Sequence, residues 1–111
     1  MKRKSKHQRD QERWAKQYGS EAYIRYIKTL PCCGCGRQSD IEASHVRSRG
    51  AGGKWYHIVP KCYDCHQRVW HGLNAGRDTF CTRFGWTIQG LMDYAQELAD
   101  KGRDLVEPDA T

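Results

Sequence analysis

Cys32-Cys33-Gly34-Cys35-Gly36 and, further along, His57-Ile58-Val59-Pro60-Lys61-Cys62-Tyr63-Asp64-Cys65-His66 are the two stretches that decide how this chain folds. Each contains a Cys-x-x-Cys turn, Cys32 with Cys35 and Cys62 with Cys65, a spacing that lets two thiolates point at one ion. The segment between the pairs is long enough to fold back on itself, so the four sulfurs are expected to close a tetrahedral Zn²⁺ site. Cys33 leaves an alternative open, because Cys33-Gly34-Cys35 offers a shorter pairing; Cys81 stands alone and reads as a small buried residue. Thiolate ligation suits a reducing compartment, where disulfide frameworks are rare. Zinc with four cysteine ligands has no open coordination position, so this ion is expected to be structural, and any catalysis must use other groups.

A staple is needed. Of 111 residues, 38% are hydrophobic and 29% charged, with a mean hydropathy of −0.91, too little apolar surface for a large self-sufficient core. No apolar run reaches the length of about 18 residues that spans a membrane, and Met1-Lys2-Arg3-Lys4 leads into polar residues rather than a signal-peptide core. The chain is expected to be soluble and cytoplasmic. Formal net charge is +6, which favours a polyanionic partner over an acidic small substrate. Residues 1–18 hold seven Lys/Arg against Asp10 and Glu12, and residues 19–92 hold ten against five acids, whereas residues 93–111 hold two against six. Both the N-terminus and the cysteine-rich centre therefore suit nucleic acid; a charged end that only aids solubility is the bland alternative.

Periodicity supplies the elements around the cysteines. Trp14 and Tyr18 lie four apart on a helical face after a frayed start, and Gly19 interrupts them. Ser20 reads as an N-cap for a helix carrying Tyr23, Ile24, Ile27 and Leu30, which Pro31 stops. Residues 41–46 predict one strand and 56–60 a second that Pro60 ends, with a mobile glycine loop at Gly50, Gly52 and Gly53 between them. A short helix over 64–70 ends at Gly72, and a closing helix over 87–101 carries Ile88, Leu91, Met92, Ala95, Leu98 and Ala99. Trp55 and Trp70 read as packing residues, and Phe80, Phe84 and Trp86 as packing under the final helix.

Four of the five histidines, His45, His57, His66 and His71, cluster around the second cysteine pair and the first strand. Any one of them alone is more often an ordinary surface or hydrogen-bonded residue. Together they suggest chemistry, since histidine takes a proton from water near neutral pH or binds a divalent metal, and phosphodiester hydrolysis needs both functions in one place.

The cysteine stretches and the intervening Ser44-His45-Val46-Arg47-Ser48-Arg49-Gly50-Ala51-Gly52-Gly53 together resemble the HNH endonucleases of the ββα-metal (His-Me finger) class, in the small phage and prophage subtype. The resemblance runs from Tyr23 to Phe80. It implies that His45 is the general base that activates water for attack on phosphorus, and that His66 holds a catalytic Mg²⁺, Mn²⁺ or Ni²⁺ that stabilises charge on the phosphate and the departing 3′ oxygen. His71 resembles the second helix histidine of such sites. That residue usually lies four positions after the first; the separation here is five, which keeps the pair together only if the helix widens. Ser44 stands where many members carry an Asp or His ligand. His57 replaces the family's asparagine and is expected to donate a hydrogen bond that holds the base loop. Arg47 and Arg49 flank the base on a glycine-rich loop and read as phosphate clamps, with Lys54 and Arg68 as further candidates. The tail cations Lys2, Arg3, Lys4 and Lys6 would add affinity without sequence preference.

The expected fold is α+β, a small zinc-stapled ββα-metal domain over residues 20–104 with flanking N- and C-terminal helices. A basic tail and helix fill residues 1–19, and residues 105–111 form a disordered C-terminal tail. The expected function is metal-dependent DNA endonuclease activity, phage or prophage encoded, in the host cytoplasm, with DNA and phage DNA-processing proteins as partners. Two other classes stay open. A zinc-stabilised nucleic-acid-binding module would keep the cysteines and basic charge without needing His45. A structural partner in a phage DNA-processing complex would carry Ser44 and His57 as marks of lost chemistry.

Overall fold

A computed structural model describes residues 3–72 and 76–110. Lys2, one of the tail cations, and Thr111, the last residue of the expected tail, lie outside the described residues.

Helix α1 (Lys6–Tyr18) begins at Ser5, whose hydroxyl accepts from the Gln8 N–H while the Gln8 side chain accepts from the Ser5 N–H. This reciprocal box satisfies two donors that a helix start leaves unpaired. Gly19 ends α1 at φ 83, a backbone state that residues with a Cβ adopt only at a cost. Ser20 caps α2 (Glu21–Lys28) as expected: its hydroxyl accepts from the Tyr23 N–H and donates to the Leu105 carbonyl. The stripe on α2 buries Tyr23 and Ile27.

Strands β1 (Ile41–His45) and β2 (Ile58–Cys62) pair antiparallel, Ile41 opposite Cys62 and His45 opposite Ile58. The second strand differs from its expectation at both ends. Trp55–His57 is a 3-10 turn rather than strand, and Pro60 does not end the pairing, because β2 runs through it to Cys62. A residue's N and C=O leave a strand on the same side, and the Pro60 carbonyl accepts from the Cys33 N–H at 2.9 Å. Its ring nitrogen thus faces away from β1, where no ladder donor is missed. The glycine loop, expected to be mobile, contains a 3-10 turn (Arg49–Ala51) capped by Ser48. Gly53 closes it, for a Cβ there would lie 2.0 Å from the Arg47 carbonyl oxygen.

After β2 the chain enters a π-helix (Asp64–Trp70) rather than an α-helix. The His71 N–H donates to the His66 carbonyl at 3.1 Å, a five-residue step that widens the coil. Helix α3 (Arg77–Phe84), for which the pattern gave no signal, lies against this π-helix, and α4 (Ile88–Gly102) closes the fold.

Among the described residues, four α-helices and a two-stranded antiparallel sheet thus form a small α+β structure. Its core has two parts. One gathers Ile41, Val46, Val59, Val69, Trp70 and Phe80 around the cysteines; the other packs Tyr23, Ile27, Trp55 and Ile58. Helix α4 joins them, giving Leu91 and Ala95 to the first and Leu98 and Ala99 to the second. The expected disordered tail from Leu105 is not what the structure has over residues 105–110. Val106 and Ala110 pack on the second core, the Glu107 N–H donates to the Gly19 carbonyl, and Trp55 Nε1 donates to the Ala110 carbonyl at 3.3 Å. Val106 and these backbone bonds anchor the segment. Among the described residues, no helix is long and apolar enough to cross a membrane.

Ser20→Ala removes both the α2 cap and the tie to Leu105. It is expected to lower stability by about 1–2 kcal/mol, read as a fall in the urea midpoint at unchanged m-value in zinc-saturated protein.

Candidate functional site

The first knuckle is a tight turn in which the Gly36 N–H donates to the Cys32 carbonyl and the Cys32 N–H to the Arg37 carbonyl. The Cys33–Pro60 bond pins this turn to β2. The second begins at the last residue of β2 and continues into the π-helix. In each, a backbone N–H points at the leading sulfur: Gly34 to Cys32 Sγ at 3.3 Å and Cys65 to Cys62 Sγ at 3.5 Å. The ligand atoms of Cys32, Cys35, Cys62 and Cys65 all lie within 4.8 Å of one another, with Cys35 Sγ and Cys62 Sγ 3.7 Å apart. Sulfurs at Zn–S bonds of about 2.3 Å in a tetrahedron stand about 3.8 Å apart. The cluster can therefore hold a metal ion, and its donor set is consistent with structural zinc. Cys33 lies outside this cluster and packs against the first core instead.

On the other side of the π-helix, a cleft of about 900 Å³ opens between α1, the end of β1, the 46–50 loop and Arg77. His45, His66 and His71 all line it. His45 Nε2 lies 2.6 Å from the Gln17 carbonyl oxygen. A carbonyl only accepts, so Nε2 carries the proton and Nδ1 the lone pair. The Tyr18 ring stands edge-on to His45, centroids 4.9 Å apart. His66 Nδ1 donates to Glu42 Oε1 at 2.9 Å, which leaves Nε2 as its free lone pair. The π-helix resolves the five-residue spacing: the widened turn brings the His66 and His71 rings to 4.8 Å between centroids. Burial first, then neighbouring positive charge, holds His45 below the ordinary imidazole range, and burial does the same for His66 against the pull of Glu42. His71 is likewise lowered, by burial and Lys61.

The other expected site residues divide. Arg49 lines the cleft, its guanidinium 5.9 Å from the Tyr18 ring centroid, whereas Arg47 does not line it. Arg68 leans on Asp64 at 3.5 Å in a separate depression. His57 lies off the cleft, and its side chain does not donate to the base loop as expected. Its Nδ1 accepts from the Lys54 N–H at 2.9 Å, and its backbone carbonyl takes the Val46 N–H instead. Lys54 thus enters as the start of that turn, away from the cleft. Ser44 is buried, its hydroxyl accepting from Lys61 Nζ at 2.8 Å. Among the described residues, the cysteines are the only cluster of three or more His, Cys, Asp or Glu placed to share one ion.

Several site groups gave no sequence signal. Glu42 sits behind His66; Arg13, Gln17 and Tyr18 come from α1; Arg77 comes from the start of α3. Lys61 is fully buried, its ammonium 3.7 Å from the Trp70 ring centroid, and burial pushes it down to about 8. A lysine in a strand reads as a solvated charge, and only the tertiary contacts of β2 show otherwise.

Elemental mass spectrometry of protein purified without chelator is expected to find about one zinc per chain, and Cys65→Ser to lose both the metal and the cooperative unfolding transition. An NMR titration of His45 should give a midpoint below 6.5. Because the folded value lies below the unfolded one, the unfolded chain binds protons first as pH falls through 6.5, so this group removes stability from there downward.

No family model, curated protein or solved structure matches this chain.

Proposed function

We propose that the chain is a metal-dependent endonuclease of the HNH, ββα-metal kind, acting on DNA. The observation that carries this reading is the convergence of His45, His66 and His71 with Arg13, Arg49 and Arg77 on one cleft. His45 is neutral near pH 7 and has one unprotonated ring nitrogen, the state a general base needs. Arg49 and Arg77 line the same cleft as the histidines and offer planar donors to phosphate oxygens. His66 and His71 would hold a catalytic divalent ion, with Glu42 fixing the His66 ring and raising its basicity. Such an ion supplies Lewis-acid stabilisation to the phosphate and the leaving oxygen. His45 takes the proton of the attacking water, and the arginines neutralise the phosphate that receives it. The cysteine cluster has no open position for this chemistry and serves as the scaffold.

One observation favours a second reading. Ser44 is occupied by Lys61, and beside the base His45 the cleft offers only His66 and His71 as metal ligands among the described residues, short of a cluster of three. A zinc-stabilised nucleic-acid-binding module, without turnover, would need no more than this.

Conversion of supercoiled plasmid to nicked or linear form, at several divalent metals, separates the two. Cleavage by the wild type is expected to fall about 10²–10⁴-fold in His45→Ala at matched zinc content. Binding of DNA without cleavage in either protein would favour the second reading. Glu42→Gln is expected to raise the divalent metal concentration for half-maximal cleavage by about 10–100-fold.

A further inference from the structure

Lys6, one of the tail cations read as adding general affinity, opens helix α1, yet the last turn of that helix packs directly on the proposed base. We infer that the C-terminal turn of α1 is the positioning element of His45, with the Gln17 carbonyl fixing the ring as the Nε2–H tautomer and Tyr18 fixing its plane, so that Nδ1 is the nitrogen that accepts the proton. The inference rests on the nuclease reading for its catalytic consequence and on geometry alone for the tautomer.

The last carbonyls of a helix have no partner within it. In α1 the Ala15 carbonyl is taken by the Gly19 N–H and the Tyr18 carbonyl by the Ser20 N–H, while the Gln17 carbonyl receives His45 Nε2 at 2.6 Å. A helix C-terminus is also where a forming imidazolium is favoured by the aligned peptide dipoles. The same turn holds a second cleft group. Tyr18 stacks on Trp14 with centroids 5.7 Å apart and rings 26° from parallel, and the Arg49 guanidinium lies over the Tyr18 ring. One aromatic ring therefore sets both the base and a phosphate-binding arginine. The end of α1 is itself fixed, because the Gly19 carbonyl accepts from Glu107. The charged and titratable groups facing His45 are Tyr18, Arg49, His57 and His66, with Arg13, His71 and Arg77 on the same cleft, and none of them offers a bond to Nε2.

The test uses full-length, zinc-loaded protein labelled with ¹⁵N at histidine, the His45 signals being assigned by their loss in His45→Gln. Long-range ¹H–¹⁵N correlation above the titration midpoint is expected to show a protonated Nε2 and an unprotonated Nδ1. In Tyr18→Ala the ring is expected to become a mixture of both tautomers, with kcat for plasmid nicking lower by about tenfold or more and KM little changed. Tyr18→Phe, which keeps the ring, should restore both. An Nδ1–H tautomer in the wild type overturns the inference, as does Tyr18→Ala with the wild-type tautomer and kcat. The tautomer is read without turnover, so a wild type that shows Nε2–H but cleaves nothing strikes the nuclease reading and leaves the positioning of His45 standing.

Discussion

Everything in this fold depends on two cysteine turns meeting. Strands of five residues each make a sheet too small to stand alone in water. The four sulfurs draw together the turn after α2, the end of β2 and the start of the π-helix. Cys62 is both the last residue of β2 and a member of the cluster, opposite Ile41. A slip of one residue in the strand pairing would turn that sulfur to the other face, so the cluster and the strand register hold each other. The Cys33–Pro60 bond gives the same junction a backbone tie, and Trp86 Nε1, donating to the Cys33 carbonyl at 2.7 Å, carries it to the start of α4.

Lys61 is the odd member of this junction. Strand β2 is buried at every position, as a strand packed on both faces should be, yet one of its five residues is a lysine. Its ammonium is held by the Ser44 hydroxyl and by the faces of Trp70 and Phe80. Such contacts reduce the cost of desolvating a charge. Four thiolates around a divalent ion would leave a net negative charge nearby, which a buried cation offsets. The same bond keeps Ser44 inside the fold, so the residue immediately before His45 has a packing role and its hydroxyl is turned to Lys61 rather than to the cleft.

The π-helix and α1 then shape that cleft from opposite sides. An α-helix would set residues five apart well round its circumference; the wider coil keeps His66 and His71 together. Gly72 permits the exit, since a Cβ there would fall 2.0 Å from the Arg68 carbonyl oxygen. Across the cleft, α1 brings Arg13, Gln17 and Tyr18 to His45 and Arg49. The basic N-terminal segment is thus a wall of the site, fastened by the acidic C-terminal segment that packs against it.

Local chemistry was legible in the sequence wherever one residue type acts at fixed spacing. The two Cys-x-x-Cys turns, the Ser20 cap and the stripes of α2 and α4 could be read from the chain itself, because cap bonds, helical periodicity and paired thiols are set within a few residues; the histidines were grouped as four, and the structure leaves His57 off the cleft that the other three line. The course of β2 through Pro60 could not, since it depends on which side of the strand faces β1. Nor could the pairing of Glu42 with His66, the burial of Lys61, the path of the C-terminal residues or the approach of Gln17 to His45. These are contacts between segments distant in sequence, and a carboxylate, an ammonium or a backbone carbonyl carries no mark of its partner until packing supplies one. The sequence by itself determined the donor atoms and the helices that carry them; only the tertiary structure decided which lone pairs face the cleft, because that choice is made by hydrogen bonds that exist only once α1, β1 and the π-helix have come together.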